Sequence, residues 1–144
     1  MLKNPDHVTV VVEDLEAAKG FFSSLGFEQS VATVISGATF SDYMGVPGIE
    51  ADHVSMALRG CAPRFEIQLL RYRKPNAIRN PRLRELNHVG FNHLCFTVDD
   101  IEAEVARLVE HGIRLRNEIL DFHNRKLVFV EGPEGITIEL AQWY

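Results

Sequence analysis

Apolar and polar positions alternate along several short stretches of the chain, and two other stretches carry apolar residues at helical spacing. Val8, Val10 and Val12 share one face of the first alternating run, opposite His7, Thr9 and Val11; Leu94, Phe96 and Val98 likewise oppose His93, Cys95 and Thr97. Successive strand side chains point to opposite faces, so each aliphatic column predicts contact with a packed layer. Three more runs follow the rule. Phe65, Ile67 and Leu69 oppose Glu66, Gln68 and Leu70; Ile136, Ile138 and Leu140 oppose Thr137, Glu139 and Ala141; Val54, Met56 and Leu58 oppose His53, Ser55 and Ala57. Leu15, Ala18, Phe22 and Leu25 form one helical stripe, and Ile101, Val105, Leu108 and Val109 a second, each needing an apolar sheet face to cover it.

The order of these elements repeats. Shifting the chain by 86 residues lays His7–Phe27 over His93–Ile113 with six identities in 21 pairs: His7/His93, Val12/Val98, Asp14/Asp100, Glu16/Glu102, Ala17/Ala103 and Gly26/Gly112. Each copy reads as a strand, an Asp suited to an N-cap, a helix with Glu in its first turn, and a Gly fit to end that helix. The ends of the copies match at a shift of 71, which places Ile67-Gln68-Leu69 over Ile138-Glu139-Leu140 and Tyr72 over Trp143. The first copy is therefore 15 residues longer, and the surplus falls in Ser36–Asp52, where Gly37, Gly45, Pro47 and Gly48 predict a loop able to cover a substrate.

These readings predict an α+β fold: two tandem β-α-β-β-β modules, 5–73 and 93–144, forming a cupped, mixed β-sheet with helices outside. Residues 74–92, with Pro75 and Pro81, form the connector. A length of 144 residues predicts one domain spanning 1–144. The absence of a long apolar run or a cationic leader predicts a cytoplasmic protein with no membrane partner. A net charge of −5 argues against nucleic acid. Arg71, Arg73, Lys74, Arg79, Arg82 and Arg84 run counter to that balance, leaving −11 elsewhere; a solvated linker explains them more simply than a dock for an anionic substrate. Cys61 and Cys95 lack a metal-knuckle spacing and are expected to be reduced, Cys95 as a small buried hydrophobe.

On the faces turned from the helices, two His and two Glu or Gln groups hold equivalent places in the two copies. Bringing such groups together in a cleft is costly without a counter-ion, and a divalent cation removes that cost.

These residues resemble the vicinal oxygen chelate superfamily, which includes glyoxalase I, methylmalonyl-CoA epimerase, extradiol dioxygenases and bleomycin-resistance proteins. The resemblance spans nearly the whole chain. It rests on Asp6-His7-Val8 with Val12-Glu13-Asp14-Leu15, on His93-Leu94-Cys95-Phe96 with Val98-Asp99-Asp100-Ile101, and on Gly132-Pro133-Glu134-Gly135 before Ile138-Glu139-Leu140. It implies a divalent metal ion (Co, Ni, Zn, Mn or Fe) held by His7, His93, Glu139 and either Gln68 or Glu66. The repeat favours Gln68, as in the epimerase-like members. It also implies an enzyme, an isomerase or lyase that enolises a small carbonyl or acyl thioester substrate, working as a homodimer. His53 is the candidate base, with Glu66 as its substitute, and Glu139 belongs to both the metal and the catalytic set. An Fe(II) extradiol-type dioxygenase using His7, His93 and Glu139, with His123 and Tyr43 near the cleft, is one alternative; a non-catalytic drug-binding protein is another. Trp143 and Tyr72 are expected to pack at strand ends, and His88, His111 and His123 to lie on the surface or in loops.

Overall fold

The computed structural model describes every residue from Met1 to Tyr144. The chain divides into two compact units, Met1–Arg79 and Asn80–Tyr144, and the division falls inside the expected connector. The first unit runs β1 (His7–Val11), α1 (Leu15–Ser24), β2 (Phe27–Ser36), α2 (Ala38–Met44), β3 (Glu50–Leu58) and β4 (Glu66–Lys74). Its sheet has the order β1-β4-β3-β2, with β1 parallel to β4 and the other pairs antiparallel. The second unit runs β5 (Leu94–Thr97), α3 (Ile101–Glu110), β6 (Leu120–Phe122), β7 (Arg125–Glu131) and β8 (Thr137–Trp143). Its sheet repeats the plan as β5-β8-β7-β6, again with one parallel pair.

The local chemistry explains both long helices. Asp14 and Asp100 are extended N-caps whose carboxylates accept the Ala17 and Ala103 backbone N–H groups, each at 2.9 Å; such a cap contributes about 1 kcal/mol. Gly26 and Gly112, at φ of 90° and 79°, turn the chain out of each helix in the left-handed region where a side chain is disfavoured. In the first unit Ala18 and Phe22 of α1 are buried, as are Val54, Met56, Ile67 and Leu69 of the sheet. Ile101 and Leu108 of α3, with Val128, Val130, Ile138 and Leu140, form the counterpart in the second. The aliphatic columns are thus the buried ones.

Three expectations need correction. Val109 is 51% exposed, so the second stripe turns out of the core one position earlier, at Leu108. Ser36–Asp52 is not a loop throughout: it holds α2 and the first residues of β3. The glycines that suggested a loop stand at the ends of α2, Gly37 before it and Gly45 in its left-handed C-cap. Trp143, expected to pack at a strand end, is 52% exposed, whereas its counterpart Tyr72 does pack against Ile35, Ile49, Ala51 and Leu70.

The basic run is occupied by acids. Arg71 and Arg73 hold Asp52, Arg73 and Lys74 reach Glu50, Arg79 pairs with Glu13, Arg82 with Glu85, and Arg84 with Glu131. No helix is long and apolar enough to cross a membrane.

Candidate metal centre

Register defines which side chains share the face opposite the helix in each unit. In the first unit the rows are His7–Glu66–Ala57, Thr9–Gln68–Ser55–Val31 and Val11–Leu70–His53–Thr33. His7, His53, Glu66 and Gln68 therefore lie on one surface, as the alternation predicts. In the second unit Cys95, Glu139 and Phe129 form one row, with His93 immediately before β5.

The histidines are held in the same way in both units. His7 Nδ1 lies 2.6 Å from Asp6 Oδ2, and a carboxylate can only accept, so Nδ1 carries the proton. His93 Nδ1 lies 2.8 Å from Asn92 Oδ1. Asn92 Nδ2 donates to the Leu86 carbonyl at 2.5 Å, which turns Oδ1 toward the ring and makes His93 Nδ1 the donor as well. In the neutral imidazole both Nε2 atoms are then left with lone pairs, the tautomer a metal ligand requires. Asp6 and Asn92 went unread as functional residues. The signal was present, because the 86-residue shift puts an Asp or Asn before each histidine.

His93 Nε2 faces Glu139 Oε2 at 3.2 Å, and its ring tilts against Phe129 with centroids 5.2 Å apart. Two acceptors at that distance need a proton or a cation between them. The Cys95 thiol is pushed up to about 12, first by partial burial and then by the nearby Glu139 carboxylate. Its surface nevertheless reaches solvent, so Cys95 is an exposed thiol kept protonated rather than the expected buried hydrophobe.

In the first unit, Gln68 Nε2 donates to Glu66 Oε2 at 3.5 Å and Gln68 Oε1 accepts from His53 Nε2 at 3.2 Å. His53 thereby keeps Nδ1 as its basic nitrogen. Burial works to raise the Glu66 carboxyl, but hydrogen bonds from Arg64, Gln68 and Ser55 outweigh it and hold the group below the usual carboxylate range. Arg64 Nε donates to Glu66 at 2.7 Å.

Imidazole nitrogen with carboxylate and amide oxygen is a donor set suited to a divalent first-row ion. Each unit carries such a histidine and such an oxygen donor of its own. No group of three or more His, Cys, Asp or Glu side chains that could hold a metal is present. His88, His111 and His123 are exposed and outside these faces.

Comparison with known proteins agrees with this fold. The chain belongs to the Glyoxalase/Bleomycin resistance protein/Dioxygenase superfamily, whose model matches residues 4–140. A glyoxalase family protein from Bacillus cereus superposes with a TM-score of 0.87 at 30% identity, covering 99% of this chain and 95% of that one. Ethylmalonyl-CoA/methylmalonyl-CoA epimerase of Cereibacter sphaeroides is 27% identical over 148 residues, with 99% of each chain covered. Glyoxalase I of Saccharomyces cerevisiae is 34% identical over 56 residues, which span 39% of this chain but only 17% of that protein. The superfamily therefore includes enzymes as well as drug-resistance proteins.

Proposed function

We propose that this protein is a metal-dependent enzyme that moves a proton next to the carbonyl of a small molecule, with His7, Gln68, His93 and Glu139 as metal ligands. The matched pinning of Nδ1 in His7 and His93 carries this reading, because it prepares two Nε2 lone pairs at equivalent places in a duplicated chain. A bound divalent ion would supply Lewis-acid stabilisation of charge developing on the substrate's carbonyl oxygen. Gln68 in place of a second carboxylate leaves the site with one more positive charge, which favours an anion.

His53 acts as the base. Its Nε2–H is engaged by Gln68 Oε1, so Nδ1 takes the proton, and an imidazole's reference pKa of about 6.5 suits that task near neutral pH. Glu66, turned toward Arg64 and the Gln68 amide, serves better to orient Gln68 than to accept a carbon-bound proton. The full-length resemblance to an acyl-CoA epimerase supports an acyl thioester as the first substrate to try.

Elemental analysis of the purified protein, followed by His7→Ala and His93→Ala, tests the metal assignment: both variants should lose stoichiometric metal, and unchanged metal content in either rejects it. Deuterium wash-in from solvent to methylmalonyl-CoA tests the chemistry, with loss expected in His53→Ala. Iron-dependent oxygen uptake with catechols and no wash-in would replace proton transfer by oxygenation.

A further inference from the structure

The two units differ most at one end of the face that carries the candidate ligands. In the first unit that end is the row Tyr72–Ala51–Ile35. Val46 and Ile49 of the inserted segment pack against this region, and Ile35 is only 8% exposed. The same register in the second unit gives the row Trp143–Arg125–Phe122. There is no insertion there, and Phe122 is 43% and Trp143 52% exposed. The neighbouring row, Ala141–Leu127–Leu120, lies between them and Glu139, and Leu120 is also exposed. One repeat covers its apolar end with its own chain and the other leaves it bare.

The bare end has a charge in it. The Arg125 guanidinium lies over the Trp143 ring, 4.8 Å from its centroid. It is absent from every ion pair of the molecule, unlike the arginines of the basic run. Exposed aromatic rings around one uncommitted cation offer stacking to a flat ring and a charge-assisted bond to one anionic group. Trp143 lies four residue steps along β8 from Glu139, about 13 Å at roughly 3.3 Å per residue, a span that an aryl group with its two substituents can bridge.

We infer that the second unit binds an aromatic acid: its ring lies over Leu120 and Leu127 beside Phe122 and Trp143, its anionic group meets Arg125, and its reacting end points toward His93 and Glu139. A second copy of the chain is a poorer occupant. A two-fold contact through this patch would bring two uncommitted Arg125 guanidiniums to the same place. The direction of the ligand rests on the metal-centre reading above, whereas the grip on ring and anion does not.

Calorimetric titration of the intact protein with 2-naphthoate, cyclohexanecarboxylate and 2-naphthalenemethanol tests the inference. The ring and the anion are each removed in one control, so 2-naphthoate should bind about tenfold more tightly than either. Phe122→Ala and Arg125→Gln, both at the surface, should each weaken 2-naphthoate about tenfold while leaving the circular dichroism spectrum and the metal content of the protein unchanged. Equal affinity for the three probes, or unchanged binding in both variants, overturns the inference. So does a dimer that Phe122→Ala converts to monomer in sedimentation, since the patch would then be a subunit contact. If His7→Ala keeps its metal but 2-naphthoate binding behaves as described, the metal assignment fails and the aromatic site stands; the converse result separates them the other way.

Discussion

His93 Nε2 and Glu139 Oε2 lie 3.2 Å apart, while the other ring nitrogen of His93 is committed to Asn92. A neutral ring so held has no proton to place in the gap, and His7 is held the same way by Asp6. The pairs are products of one duplicated device, an Asp or Asn that sets the tautomer of the histidine after it.

On the proposed metal centre, removing either device should weaken metal binding while leaving the four proposed ligands in place. Asp6→Ala and Asn92→Ala are each expected to lower metal affinity about 10–100-fold, read by competition with a chromophoric chelator. Asp6→Asn keeps an acceptor and should fall between the parent and the alanine variant. Affinity unchanged in both alanine variants would show that tautomer control is unimportant here.

Asp52 gives a prediction about acid stability. Hydrogen bonding to Arg73 above all, opposed by burial and helped by Arg71, lowers its carboxyl from the ordinary value. A group whose folded pKa is depressed stabilises the fold above its unfolded pKa, about 3.9, and loses that contribution as pH falls through the folded value. Asp52→Asn should therefore lower Tm by about 3–5 °C at pH 7. The gap should narrow as acid protonates Asp52 in the parent, and salt should narrow it too because both arginines are partly exposed. Thermal melts across pH read both effects.

Adjacent positions on α3 should behave oppositely. Leu108 is fully buried and Val109 is not, so Leu108→Ala is expected to cost about 2–5 kcal/mol and Val109→Ala less than about 0.5 kcal/mol. Urea unfolding of both variants checks this. Equal losses would mean that Val109 is covered in solution.

The insertion should be a structural part of the first unit. Ile49, 2% exposed, joins the cluster with Ile35, Ala51 and Leu70, and Ile49→Ala should cost about 2–5 kcal/mol. A cost near zero would make the segment a detachable loop.

Much of this is legible in the sequence. Alternation and self-similarity located five of the eight strands, both long helices, their Asp caps and Gly ends, because those signals are local. The placing of His7, His53, Glu66 and Gln68 on one face followed from period-two counting alone. What escaped had weaker or non-local causes. The helix α2 is only seven residues long and has no side-chain cap, so its bounding glycines outweighed its interior. Arg125 and Phe122 could be set beside Trp143 only through the register of β6, β7 and β8. A lone aromatic at a strand end gives no sign in sequence of whether anything lies over it.

Duplication alone would give the two sheet faces the same margin. The extra segment between β2 and β3 breaks that equivalence by sealing the far margin of one surface and leaving its twin open. Whatever rests against the open margin meets Leu120, Phe122 and Trp143, whereas the sealed one presents the inserted segment, so a single stretch of chain decides which of two sibling sheets is left available for contact.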